Sequence, residues 1–436
     1  MDVSTLLRHL GWARDLPLDD PDRLRLEHAA RALVRDGQRR RRRERERAVA
    51  QVDGDVLAAT AMGSRDRIAD TPVEAAATAA GDLRRPRGCY VCKTRYTRVD
   101  SLYHLLCPAC AADGAARRGA RTDLTGRRAL ITGGRVKIGH ELALKMLRDG
   151  AHVTVTTRFP DDAARRFART GDWATRLRIV GVDLRDPRQV IALTDQLLED
   201  GDPLDILVNN AAQTIRRPPS AYAALIEGES RPLPSVTAPP GTSQPPPEVT
   251  AASGTSQPLP AATSGADLPD VSGLLPDASP VNSWSVRIGA VDPAEMLEAQ
   301  LVNAVAPFLL IDRLLPLLLR SPAERRYIVN VSAVEGQFAV ANKTGRHPHT
   351  NMAKAALNML TRTSAADLAR QGVHLCSVDT GWITDEQPAH VRALLDRRTP
   401  LDVVDGASRV YDPIIRGEAG HPVHGVLLKD YQVAPW

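Results

Sequence analysis

Aromatic side chains make up only 4% of the 436 residues. Any core must therefore be built from Leu, Val, Ile and Ala. Cysteine is also scarce, with five in the chain, which excludes a disulfide-stapled scaffold. No apolar run is long enough to cross a bilayer. The longest candidate, "FLLIDRLLPLLL" at 308–319, is broken by Asp312, Arg313 and Pro316. The opening "MDVSTLLRHLGWARDL" lacks a basic start followed by an apolar block, so no signal peptide is expected and the protein reads as cytoplasmic. The net charge of +5 is unevenly placed. Residues 1–120 hold 23 Lys+Arg against 17 Asp+Glu, and residues 121–436 hold 34 against 35. The excess of positive charge thus belongs to the N-terminal part.

Composition divides the chain into four regions. Residues 1–85 are rich in Ala, Arg and Leu and read as a helical extension. Within it, "PDRLRLEHAARALVRDG" has an Asp before its periodic stretch and Gly37 as a stop signal. Residues 86–112 hold four of the five cysteines. Residues 121–436 alternate strand-like and amphipathic runs, which predicts an α/β domain with a parallel sheet. That domain is interrupted at 216–290, a segment with 14 of the 32 prolines and the repeat "GTSQP" at 241–245 and 254–258. Such a composition predicts a disordered surface loop.

"RRALITGGRVKIGHELALKMLRDGAHVTVTTR" at 127–158 reads as strand, glycine-rich turn, helix ended by Gly150, and second strand. That order offers backbone N–H groups and a helix dipole to a pyrophosphate. Here the chain resembles the short-chain dehydrogenase/reductase family, whose loop reads TGxxxGxG. In this sequence the loop is Thr132-Gly133-Gly134-Arg135-Val136-Lys137-Ile138-Gly139. Lys137 stands in place of the middle glycine, which should disturb the turn and add a cation near the phosphates. Further matches follow in family order. "GVDL" puts Asp183 and Leu184 after the third strand, where the family contacts the adenine. "ILVNNAA" carries Asn209, Ala211 and, for the family's Gly, Ala212. Asn303 lies in "QLVNAVAPF", Ser332 in "IVNVSAVEG", and Thr384 in "VDTGWITDEQP" as the candidate amide contact. The resemblance covers about the last 315 residues less the insertion. It implies a Rossmann-type, doubly wound parallel sheet.

The end of the second strand, "TTRF", has no acid and carries Arg158. With Arg135 beside it, two cations suit a 2′-phosphate, so NADP is expected over NAD. The competing reading is that these arginines are solvated surface charges.

The family's proton donor is missing. The resemblance implies a serine that bonds the substrate oxygen, a tyrosine that gives the proton, a lysine on the nicotinamide ribose, and an Asn that helps relay protons. Ser332, Lys354 and Asn303 match, but "HPHTNMAKAALNML" at 347–360 has Thr350 where the tyrosine belongs. An aliphatic hydroxyl titrates far above a phenol, so Thr350 is a poor acid. It also suits a helix N-cap beside Pro348. His347 and His349 are alternative acids by pKa, or polar loop residues before a helix. Tyr222 lies in the proline-rich segment and could reach the site only by folding over.

"CYVCKTRYTRVDSLYHLLCPAC" places Cys89, Cys92, Cys107 and Cys110 as two CxxC pairs fourteen residues apart. Each pair forms a knuckle with two thiolates, and two knuckles complete a tetrahedral, zinc-ribbon-like site for structural zinc. His104 is close enough in sequence to exchange for a cysteine. Cys376 reads as a small core residue. A zinc module can contact protein or nucleic acid. The alternation of Glu44 and Glu46 with Arg45 and Arg47 suits a solvated helix, so a protein partner is expected before nucleic acid.

The expected function is that of an NADP-dependent oxidoreductase on a carbonyl or alcohol. Two alternatives stay open: a catalytically weak NADP-binding sensor or scaffold, and an adaptor working through the zinc module. The family's habit of pairing through long helices implies a homodimer or tetramer, formed here by 292–320 and 348–370.

Overall fold

The computed structural model describes residues 2–75, 80–230, 248–250, 269–395 and 397–436. Helix α1 (Val3–Arg14) leads to α2 (Pro21–Ala58), whose N-terminus is capped by the Asp20 carboxylate. Gly37 does not end α2 as the sequence predicts. The helix runs through it for another 21 residues. A lone glycine costs a helix only about 1 kcal/mol, and i,i+4 pairs such as Arg40–Asp36 (2.8 Å) and Arg42–Glu46 (2.9 Å) flank it.

A hairpin of β1 (Gly81–Gly88) and β2 (Arg95–Val99) and the helix α3 (Pro108–Gly119) carry the cysteines. The main sheet then builds up through β3 (Arg128–Thr132), α4 (Lys137–Arg148), β4 (His152–Thr157), α5 (Pro160–Ala168), β5 (Leu177–Gly181), α6 (Pro187–Asp200) and β6 (Ile206–Asn209). A short α7 (Ala223–Glu227) and β7 (Glu248–Thr250) follow. Next come α8 (Pro293–Gln300), a π turn (Leu301–Val305), α9 (Ala306–Arg320), β8 (Arg326–Ser332) and α10 (Pro348–Ala369). The chain closes with β9 (Val373–Asp379), α11 (Ala389–Leu395), α12 (Val403–Glu418), β10 (Leu427–Lys429) and β11 (Gln432–Ala434).

The strand order is β11-β10-β9-β8-β6-β3-β4-β5-β7. Pairings from β10 to β5 are parallel, and the two edge strands are antiparallel. Alternation along β3 shows how two cores arise from one strand. Ala129 and Ile131 face a cluster with α4, α5 and α12, whereas Leu130 faces α6, α9 and α10. The chain crosses over on either side of β3. This opens a crevice at the carboxyl ends of β3 and β6, where doubly wound sheets bind ligands. The stretch Pro293–Arg320 is long and apolar enough for a membrane span by composition, but half of its apolar window is buried. Leu310, Leu314 and Leu317 pack on the sheet, as in a core helix.

The N-terminal module is joined to the sheet domain by a common apolar cluster. Met62, Leu83, Leu102 and Leu106 pack with Ile383, Leu401 and Val403. Polar ties reinforce it. Arg118 pairs with Asp402 (2.5 Å), and Tyr103 donates to Asp405 (2.5 Å). Asp402 and Asp405 also form a reciprocal cap on α12.

The disorder expected over 216–290 is corrected at its flanks. Residues 216–230 and 269–290 fold against the sheet domain, since Phe159, Arg165 and Arg166 of the β4–α5 region give them partners. Phe159 stacks on Tyr222, with ring centroids 5.9 Å apart. Arg166 donates to the Val271 carbonyl (2.9 Å). Residues 231–247 and 251–268 lie outside the described residues.

Candidate functional site

The glycine turn is set by close contacts. A Cβ on Gly134 would lie 2.5 Å from the Val155 side chain, and one on Gly139 would lie 2.2 Å from the Gly133 carbonyl. Gly133 has φ +69 and sits against Ala211. Thr132 locks the turn to the end of β6, where its Oγ1 accepts from the Asn210 and Ala211 amides, both at 3.0 Å. Lys137 keeps the left-handed conformation, at φ +55. The expected disturbance of the turn is therefore not found. Its ammonium is drawn 2.8 Å from Asp70 of the extension. Burial lowers the Lys137 pKa, but Glu386 and Asp70 outweigh it and the net shift is upward. Lys137 still borders the nucleotide cavity, with its charge shared with Asp70. Arg135 is likewise committed: it is buried, with Asp162 at 2.6 Å and the Ser272 carbonyl at 2.7 Å.

A cavity of about 400 Å³ opens beside this turn. Gly133, Arg135, Lys137, Ile138, Gly139, Arg158, Asp183, Leu184, Ala211 and Thr384 line it, as the motifs imply. Among the described residues Arg158 has no carboxylate partner. Its guanidinium lies 4.6 Å from the Tyr222 ring centroid and 5.5 Å from that of Phe159. Asp183 is held by Arg185, with Nε 3.0 Å from each carboxylate oxygen. Asn209 is not in the lining. Its Nδ2 donates to Asn330 Oδ1 (2.8 Å) beneath the sheet's end, and Asn210 faces the cavity instead.

Asn209 pairs in register with Asn330, so Ser332, two residues on, stands on the strand adjoining the cavity. Ser332 and Thr350 are both buried, and neither hydroxyl has a partner. Thr350 is not the N-cap that its type allows. His347 holds that position at φ +40, Pro348 starts α10, and Thr350 lies in the first turn. Lys354 follows one turn later, its Nζ donating to the Val331 carbonyl at 2.8 Å. Burial brings its pKa down to about 8, opposed by Glu335. Asn303, in the π turn, spends both ends of its amide on the Gln213 backbone (2.8 and 3.0 Å), so it fixes the chain leaving β6. π turns of this kind often mark functional positions.

The two histidines differ. His349 is buried, with Nε2 3.1 Å from Glu295. His347 stacks on Trp284 and holds its Nδ1 2.8 Å from that residue's carbonyl. A carbonyl only accepts, so Nδ1 carries the proton and Nε2 is free to take or give one. That Nε2 lies 3.9 Å from Glu335.

The four cysteines Cys89, Cys92, Cys107 and Cys110 converge, with all Sγ atoms within 4.8 Å of one another. Cys92 and Cys107 are 3.6 Å apart, close to the roughly 3.8 Å edge of a tetrahedron with 2.3 Å zinc–sulfur bonds. The Cys107 amide donates to Cys89 Sγ (3.3 Å). His104 is outside the cluster. Cys376 is buried in the core, as expected.

Comparison with known proteins shows the chain's family. Residues 127–224 match the family model described as short chain dehydrogenase, and residues 262–401 match that described as enoyl-(acyl carrier protein) reductase. An uncharacterized protein of Acanthamoeba polyphaga mimivirus is 31% identical over 344 residues, covering 75% of this chain and 71% of that one. The chain belongs to the short-chain dehydrogenase/reductase family. C-signal of Myxococcus xanthus is 30% identical over 169 residues, 38% of this chain and 93% of C-signal. Among solved structures, NADPH-bound carbonyl reductase from chicken fatty liver has a TM-score of 0.49 at 19% identity. The match covers 74% of this chain and 98% of that one.

Tyr222 lines the cavity, so the proline-rich segment does fold over it. Arg185, Arg217, Asp270 and Ser272 line it too, with no motif in the sequence to mark them. The last three come from the proline-rich segment, whose composition gives no periodicity to read. Arg185 was in view next to "GVDL", and its charge beside Asp183 was the available clue.

Proposed function

We propose that the chain is an NADP-dependent oxidoreductase that interconverts a carbonyl and its alcohol. The carrying observation is Lys354: a buried ammonium tied to the residue before Ser332 on β8, the strand paired with β6, beyond whose end Asn210 lines the glycine-rich cavity. Gly133, Gly134, Ile138 and Gly139 would cradle the pyrophosphate at the start of α4. Asp183 and Leu184 would border the adenine, Arg158 would meet the 2′-phosphate, and Lys354 and Thr384 would hold the nicotinamide end. The cofactor supplies hydride chemistry when bound. Ser332 then donates a hydrogen bond to the substrate oxygen, and a proton must reach that oxygen as it becomes an alkoxide.

Thr350 cannot give that proton near neutrality. We assign it to His347, whose Nε2 can carry it and whose ring is fixed through Nδ1. His347 caps α10, Thr350 lies in its first turn and Lys354 one turn further on, and the His347 Nε2 lies 3.9 Å from Glu335, which also acts on Lys354. We also propose zinc at the four cysteines, a reducing cytoplasmic setting that keeps them as thiolates, and self-association. Phe308, Met352 and Met359 are exposed on the long helices and would form the contact between copies. Titration with NADPH and NADH, followed by turnover over a carbonyl panel, tests the reading. Cofactor binding with no turnover would favour a sensor or scaffold.

A further inference from the structure

The cysteine module touches both loops that would grip the cofactor. Tyr90 lies between Cys89 and Cys92, and its hydroxyl accepts from the Trp382 amide at 2.8 Å. Gly381, with φ +81, runs close beneath: a Cβ there would be 3.5 Å from the same hydroxyl and 2.7 Å from Leu401. The next residue after Trp382, Ile383, is buried in the module's apolar cluster with Met62, Leu83 and Cys89. Thr384 and Glu386, just beyond, line the nucleotide cavity. On the cavity's other side, Ile138 of the glycine turn packs on the same cluster, and Lys137 pairs with Asp70.

The knuckle that presents Tyr90 needs its four sulfurs at metal-bonding range. A metal bound by all four sulfurs would hold them at that range and so fix the Cys89–Cys92 turn. The turn would set the Tyr90 hydroxyl, and the hydroxyl would set the backbone at Trp382.

We propose that Tyr90 is a positioning residue for the cofactor, and that metal in the four-cysteine site is a condition for tight cofactor binding in this chain. The inference rests on the cofactor reading above and adds a regulator to that site. The sheet domain would bind its cofactor well only when the module is loaded with metal.

NADPH is titrated calorimetrically into three samples of the full chain: zinc-loaded wild type, wild type stripped with a chelator, and zinc-loaded Tyr90→Phe. The phenylalanine keeps the ring and removes only the acceptor. The dissociation constant is expected to rise about three- to tenfold in Tyr90→Phe, the worth of one hydrogen bond. The bound zinc should stay unchanged, and so should the rate at saturating cofactor. Stripping the metal should weaken binding at least as much, and added zinc should restore it. Equal affinity in zinc-loaded wild type and Tyr90→Phe would overturn the proposal, even if stripping alone unfolds the chain. No binding of NADPH or NADH to zinc-loaded wild type contradicts the cofactor reading and the inference together. Binding that ignores Tyr90 contradicts the inference alone.

Discussion

Lys354 places its ammonium 2.8 Å from the Val331 carbonyl, one residue before Ser332, and so ties the middle of α10 to the end of β8. Without a tyrosine one turn earlier, this bond and Glu335 are what the lysine has in exchange for hydration. The site is thus built around a desolvated cation whose usual hydroxyl partner is absent.

The depressed pKa of Lys354 makes a stability prediction. Its ordinary value is 10.5, and burial brings it to about 8 in the fold. Between those values the unfolded chain holds a proton that the fold has released, so this group's contribution to stability rises with pH across that window. Below pH 8 the charged, desolvated lysine costs stability. Lys354→Met should remove the rise and stabilise the cofactor-free protein at pH 7 by about 1–3 kcal/mol, read from denaturant midpoints. A variant with wild-type pH dependence would count against a buried, depressed lysine.

Cofactor affinity should show the opposite slope. Binding that uses the Lys354 ammonium weakens as pH rises through about 8. Lys354→Met should bind more weakly at pH 7 and show no such step. Fluorescence titrations of NADPH from pH 6.5 to 9.5 would reveal it.

Arg158 should decide between the two nicotinamide cofactors. It lies against Tyr222 and Phe159 without a carboxylate partner among the described residues, whereas Arg135 is already paired with Asp162. Arg158→Ala should weaken NADPH roughly tenfold or more, as loss of a charge-assisted bond does. NADH binding should barely change. Arg135→Ala should instead lower the melting temperature, because it leaves the Asp162 carboxylate largely buried without that partner.

His347→Gln keeps a hydrogen bond to the Trp284 carbonyl but carries no titrating proton. It should reduce turnover by about 10²–10⁴-fold with little change in cofactor affinity. Unchanged turnover would return the proton to water or substrate. Thr350→Tyr should raise the rate in both backgrounds, because it restores a phenol one turn before Lys354.

The fold was legible because its signals are local. Apolar strands and the glycine turn follow from short-range spacing, and the Cβ contacts of the turn explain its glycines; Ser332 and Lys354 were marked by the resemblance to the family. The charges of the site were not legible. Arg135 and Lys137 look alike in sequence to Arg158, and only the tertiary approach of Asp162 and Asp70 separates them. Gly37 misled in the same manner, since ion pairs such as Arg40–Asp36 and Arg42–Glu46 carry α2 through a residue that costs a helix only about 1 kcal/mol. Ser272 was hidden in a segment whose composition signals no structure, and the same composition left open whether Tyr222 would fold over the site.

The central claim is that the cavity holds a nicotinamide cofactor, with NADP preferred. Calorimetric titration of the zinc-loaded chain with NADPH and with NADH tests it most directly. The expected result is one-to-one NADPH binding, at least tenfold tighter than NADH and brought toward it by Arg158→Ala. Absence of binding by either cofactor would contradict the claim.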